Sequence, residues 1–253
     1  MVTARPLPGL PEVVPGFDLG EAITTVVASG PRPERLRPGD VLAIAHKVVS
    51  KAEGRVRSLA DVAPGERAIE LAAPGERDPR LVQVVLDESA AIVRASAGVI
   101  VCETHHGFVC ANAGVDQSNV PGDETVLMLP RDPDASARAI RARVRELTGV
   151  APGVVITDSF GRAWRTGQSD VAIGLAGLAA LDDWRGRPDA VGREMRATVI
   201  AVADLLAATA DLARRKDAAQ PVVLIRGAEE YVTEADGPGV RPLLRERAQD
   251  LFR

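Results

Sequence analysis

The spacing of apolar positions changes several times along the chain. Asp18-Leu-Gly-Glu21 reads as a capping box, and a helix through Ile23, Val26 and Val27 should follow it. Residues 30–39 are rich in Pro, Gly and Arg and read as a loop. VLAIAHKVVS, 41–50, has the β-branched content of a buried strand. Pro-Gly and Asp-Pro pairs between 60 and 79 indicate loop or short helix. From 79 to 94, Leu81, Val84, Val85 and Ile92 fall on one helical stripe. GVIVCE and GFVCANAGV read as paired strands, and TVLMLP, 125–130, as another. In DASARAIRARVRELTG, Ala137, Ile140, Val144 and Leu147 share a face, with Gly149 closing the helix.

GVVITDSFGRAWRTGQSDVAIGLAGL then reads as a strand, a polar loop and a second apolar segment. Residues 188–214 predict a long helix rich in Ala and Leu, and PVVLIRG, 221–227, a late buried strand. The tail from 228 is charged and predicted helical. Strands and helices mix without regular alternation or internal repeat. The expected class is α+β, with mixed sheets and packed helices.

Composition narrows the function. A chain of 253 residues suits one large domain or two interleaved subdomains. Lys plus Arg is 31 against 35 for Asp plus Glu, a net charge of −4. That balance is not the footprint of a nucleic-acid binder, although it leaves room for a local basic patch. No stretch offers the roughly 20 consecutive apolar residues of a membrane span. MVTARPLPGLPEV lacks the apolar region of a secretory signal. Cys102 and Cys110 are too few for a disulfide scaffold or a four-cysteine zinc site. They are expected to face each other across a hairpin, and a reducing, cytoplasmic location is expected.

Two polar turns carry the candidate chemistry. CANAGVDQSNVPGDE, 110–124, presents Asp116 and Asn119 after an apolar run. Asp158 and Ser159 follow VVIT, where that strand is expected to end. Carboxylate and hydroxyl oxygens are what Mg²⁺ or Mn²⁺ takes, together with substrate phosphates. Both turns also read as ordinary turn chemistry, and the residues alone leave the choice open. Lys51, Arg162 and Arg165 form a basic set suited to phosphate, or simply a solvated surface. GRAWRTGQS, 161–169, fails as a P-loop because its glycines are too far apart and Gln168 stands where Lys belongs. His105 and His106 are adjacent in a hairpin loop and poorly placed to chelate one metal. No activated nucleophile motif is present.

Taken together and in order, GLPEV, GDVLAIAHKVVSKAEGR, HHGFVCANAGVDQSNV, ITDSFGRAWRTGQSDVAIG and PVVLIRG resemble the coenzyme F420-0:L-glutamate ligases. This is the CofE group, which includes the N-terminal ligase domain of the actinobacterial FbiB proteins. The resemblance spans nearly the whole chain. It implies a CofE-like α+β fold, an intertwined homodimer and a GTP-dependent amide ligase. Such an enzyme joins L-glutamate to F420-0, or its dehydro precursor, through an acyl phosphate and then adds γ-linked glutamates. It uses Mn²⁺ or Mg²⁺ and a monovalent cation such as K⁺. The flavin-binding C-terminal domain of the FbiB proteins has no counterpart within 1–253.

Carried over by position, the resemblance makes Asp116, Asp158 and Ser159 divalent-metal ligands. It gives Leu10, Pro11, Glu12, Val13, Lys51 and Asn119 to the nucleotide. His46 joins that set at a position where many members carry a small hydroxyl residue. Residues 212–220 match a nucleotide- and metal-contacting loop. Archaeal members have a Gln ligand there, whereas this chain has Arg214-Arg215-Lys216, which puts Lys216 near phosphate. Asp116, Asp158 and Lys51 are the expected catalytic residues. Two alternatives stay open: a ligase acting on a different anionic carboxylate, and a non-catalytic nucleotide-binding module. Retention of both aspartates weighs against the second.

Overall fold

The computed structural model describes residues 1–29, 35–96, 98–120, 122 and 124–252; part of the loop expected at 30–39, and Pro121 and Asp123, lie outside them. The architecture is α+β, as expected. A five-stranded sheet forms the centre, in the order β1 (Thr3–Pro6), β12 (Val222–Arg226), β2 (Val41–Ala45), β8 (Gly153–Arg162), β9 (Arg165–Ala176). Only β2 and β8 run parallel; the other neighbours are antiparallel. Helices α1 (Leu19–Ser29) and α5 (Pro133–Thr148) pack together, with α5 over β8 and β9. Helix α6 (Val202–Ala213) covers β9, β8 and β1. Ile44, Ile156, Ile173, Leu175 and Ile225 are fully buried between these elements. Each such side chain contributes about 1.5–3 kcal/mol relative to exposure.

A second buried cluster joins α3 (Glu66–Ala72) and α4 (Pro79–Asp87) to a three-stranded antiparallel sheet. That sheet is β4 (Ser89–Ser96), β5 (Val99–Thr104) and β6 (Val109–Ala111). Cys102 and Cys110 are direct cross-strand partners on β5 and β6, both buried and free, as their spacing predicted. A short ladder of β3 (Val56–Ser58) with β7 (Thr125–Leu127) links this region to α2 (His46–Ala52), which follows β2.

Several expected elements change. The strand predicted over 41–50 stops at Ala45, whose N–H donates to Pro221 O at 2.8 Å. Proline has no N–H to continue the ladder, and the chain turns into α2. The helix predicted over 79–94 ends at Asp87; Ile92 lies instead on β4, paired with Cys102 of β5. Leu147 on α5 is 42% exposed rather than part of the buried face. The region 188–214 is not one helix. Pro188 and Gly192 interrupt it, β10 (Asp182–Asp183) pairs with β11 (Val199–Ile200), and α6 begins only at Val202. The tail beyond 228 makes short 3₁₀ turns rather than a helix. Asp158 lies inside β8, not at its end, because polar residues continue the hairpin to Arg162.

Two glycines let the centre close. An added Cβ on Gly174 would lie 2.5 Å from Pro133 O, at the start of α5. On Gly177, at φ +63°, it would meet the Arg141 guanidinium. Arg141 is buried and holds the C-terminal segment, donating to Pro152 O, Thr233 O and Glu234 O and pairing with Asp236 at 2.6 Å. Among the described residues, no helix is long and apolar enough to cross a membrane.

Candidate active site

The sheet delivers several chain segments to one edge. β2 and β8 are parallel, with Ala45 opposite Thr157, so His46 and Lys47 emerge beside Asp158. β12 is antiparallel to β2, so its preceding loop, 214–221, enters at that same end. β1 leaves there too, since Leu7 N donates to Val222 O at 2.8 Å, and residues 10–13 follow. A site outside the carboxyl ends of neighbouring parallel strands is a common outcome of such sheets. Asp116 comes from the other cluster, bridged to Leu127 by two backbone hydrogen bonds of 3.0 and 2.8 Å.

These segments enclose a cavity of about 630 Å³. Leu10, Pro11, Glu12, Val13, His46, Lys51, Asp116, Asn119, Asp158, Ser159 and Lys216 all line it. Every residue that the resemblance assigns to the site therefore lines this one cavity. Arg162 and Arg165 do not line it; they face each other at the far end of the β8–β9 hairpin, Arg162 donating to Thr166 O. The GRAWRTGQS segment is that hairpin, not a phosphate loop, although its Gln168 reaches the cavity wall. His105 Nε2 lies 3.1 Å from Asp87 O and His106 Nε2 2.9 Å from Pro130 O, so both histidines tie down loops.

On one wall, Lys47 Nζ pairs with Asp116 Oδ2 at 2.5 Å and also bonds Ser118 Oγ. Ser118 N donates to Asp116 Oδ1 at 2.7 Å, and Ser118 Oγ to Oδ2 at 2.9 Å. Burial raises the Asp116 carboxyl, but Lys47 and the two Ser118 donors outweigh it and hold the group below the ordinary carboxylate range. Asn119 follows in the left-handed region at φ 58°, a conformation Asn tolerates. Lys51 Nζ is held 2.7 Å from Glu12 Oε1, which joins α2 to the 10–13 segment.

The opposite wall is a buried polar network. Asp170, 2% exposed, accepts from Thr157 Oγ1 at 2.8 Å and Ser159 Oγ at 2.6 Å, and pairs with Arg214. Burial raises its carboxyl; Arg214, the two hydroxyls and Lys216 more than reverse this and lower it. His46 Nδ1 lies 3.3 Å from Ser50 Oγ. Its Nε2 approaches Asp158 Oδ1 to 3.2 Å, at angles that fall short of a hydrogen bond, and so is buried without a hydrogen-bond partner.

Among the described residues, no three His, Cys, Asp or Glu side chains converge as a ready metal cage. The donor set is nonetheless oxygen-rich: two carboxylates and a hydroxyl facing a cavity that also presents Lys47, Lys51, Arg214, Arg215 and Lys216. That set fits a hard divalent ion completed by phosphate oxygens. Lys47 and Asp170 escaped the sequence reading, and Arg214 and Arg215 entered it only as members of the 212–220 loop. A buried strand masked Lys47, and Asp170 looked like one acid among many. The one available signal was the i, i+1 position of Lys47 beside His46.

A family model described as F420-0:Gamma-glutamyl ligase matches residues 9–227. Among relatives named Coenzyme F420:L-glutamate ligase, that of Methanopyrus kandleri is 45% identical over 251 residues, covering 98% of this chain and 96% of its own. That of Methanothermobacter thermautotrophicus is 44% identical, covering 97% and 96%. That of Methanocaldococcus jannaschii is 42% identical, covering 95% and 94%. The chain belongs to the F420-0:gamma-glutamyl ligase family.

Proposed function

We propose that this chain is a GTP-dependent ligase that forms an amide between L-glutamate and coenzyme F420-0, then extends it with γ-linked glutamates. The observation that carries this reading is the single cavity in which the Asp116 and Asp158 carboxylates face five cationic side chains. A polyphosphate with a divalent ion needs that mixture of charge. The names of the relatives, Coenzyme F420:L-glutamate ligase, support the choice of acceptor and amine.

Asp116, Asp158 and Ser159 would hold Mn²⁺ or Mg²⁺ with the nucleotide phosphates; the ion, when bound, offsets phosphate charge and polarises the γ-phosphoryl group. Lys51, fixed by Glu12, and Lys47 add positive charge as that group moves. Leu10, Pro11, Val13, His46 and Asn119 bound the nucleotide sterically and by hydrogen bonding. The acceptor carboxylate takes the γ-phosphoryl group and GDP departs. The glutamate amine attacks the acyl carbon, loses a proton and expels phosphate, which leaves the amide. Positioning and charge suffice for both steps, so no side-chain nucleophile is required. A monovalent cation such as K⁺ and a homodimeric state belong to the same reading.

The test incubates the protein with F420-0, glutamate, Mn²⁺ and either GTP or ATP and follows product mass. Addition of glutamyl units with GTP in preference to ATP is expected. GTP hydrolysis without glutamyl addition, stimulated by another carboxylate, would move the acceptor elsewhere.

A further inference from the structure

The Lys216 ammonium sits among three oxygens at the cavity wall. Its Nζ lies 2.8 Å from Ser159 Oγ, 2.7 Å from Asp211 Oδ1 and 3.4 Å from Asp170 Oδ1. One hydroxyl and two carboxylates form the donor chemistry of a hard cation position. Asp211 Oδ1 is buried and has no partner at hydrogen-bonding angles, so the ammonium answers it through charge alone. Ser159 Oγ donates its proton to Asp170, so toward Lys216 it can only accept. The Lys216 side chain is 68% exposed, yet its charged end is fixed. Ordering a lysine costs up to about 2 kcal/mol of rotamer freedom, and a lysine with no role beyond solubility would leave its ammonium in water.

We propose that Lys216 is a tethered cation: its ammonium fills an oxygen-lined position that a free cation would otherwise take, and supplies that charge to the bound nucleotide. The inference rests on the nucleotide reading above. An ammonium is a compact point charge with three donors and no acceptor. Ser159 and Asp170 take two of its donors and Asp211 holds it by charge, so it acts on phosphate chiefly through its field. Ser159 Oγ donates to Asp170 and accepts from Lys216, and its second lone pair stays available to the divalent ion beside Asp116 and Asp158.

The experiment measures binding of a fluorescent GTP analogue at saturating Mg²⁺ in sodium buffer, with K⁺, ammonium or Mn²⁺ added in separate arms. The wild type should change by less than about twofold in every arm. Lys216→Ala should bind about tenfold more weakly and recover with an added cation, while Lys216→Arg retains most of the affinity. Rescue by K⁺ or ammonium identifies a monovalent position. Rescue by Mn²⁺, with one more ion bound per chain by electron paramagnetic resonance, identifies a divalent one. Wild-type affinity in Lys216→Ala, or a loss that none of the three cations repairs, overturns the inference. Absence of nucleotide binding by the wild type overturns the functional reading itself.

Discussion

Arg214 and Asp170 form a charge pair inside the cavity wall, with side chains only 7% and 1% exposed. Arg214→Met removes the guanidinium and strands the carboxylate. Removing one partner of a buried pair costs roughly 3–5 kcal/mol. Asp170 keeps its bonds from Thr157 and Ser159 and its contact with Lys216, so the lower end applies. A loss of about 3 kcal/mol should lower Tm by roughly 6–12 °C for a chain of this size. Urea denaturation at neutral pH reads the same loss as a shifted midpoint with unchanged slope. Adding Asp170→Asn to Arg214→Met removes the stranded charge and should recover about half of the loss. A loss below about 1 kcal/mol would refute the reasoning, because the pair would then behave as a surface ion pair does. The same carboxylate governs part of the acid limb. Its folded pKa is lowered from an unfolded value near 3.9, so the folded state binds fewer protons. That stability is present above about pH 4 and lost as pH falls through the folded value. Arg214→Met should therefore show a flatter acid limb than the wild type.

Asp116→Ala and Asp158→Ala should each slow glutamyl addition by at least about a hundredfold while circular dichroism stays native; product mass checks the first and a far-ultraviolet spectrum the second. Gly174→Ala puts a Cβ 2.5 Å from Pro133 O and should cost roughly 1–3 kcal/mol, read as a lower Tm; an unchanged Tm would mean that α5 moves aside freely. The Cys110 thiol is pushed up to about 12, by burial first and then by Asp158 and Cys102, so native protein should resist iodoacetamide at pH 8 where urea-unfolded protein is alkylated. Rapid alkylation of the native protein would place Cys110 at the surface.

Local chemistry made much of this fold legible from sequence. The Asp18 cap accepts from Glu21 N at 2.9 Å, and Gly149 closes α5 in the left-handed conformation. The errors came where long-range pairing decides. Whether His46 continues a strand or starts a helix depends on Pro221, far away in sequence, which ends the ladder. Ile92 fits a helical stripe, but β5 offers it a partner. The site shows the same division. Asp116 and Asp158 could be singled out as oxygen donors in polar surroundings, yet only the sheet order brings them to one cavity. Asp170 could not be singled out at all, since its importance lies in being buried with Arg214.

The most direct measurement supplies F420-0 carrying isotopically labelled carboxylate oxygens, together with glutamate, GTP and Mn²⁺, and follows both products by mass spectrometry. The account predicts a glutamyl adduct of F420-0 and one labelled oxygen transferred to the released phosphate for each amide formed. Unlabelled phosphate, or GTP turnover with no glutamyl adduct, would contradict it.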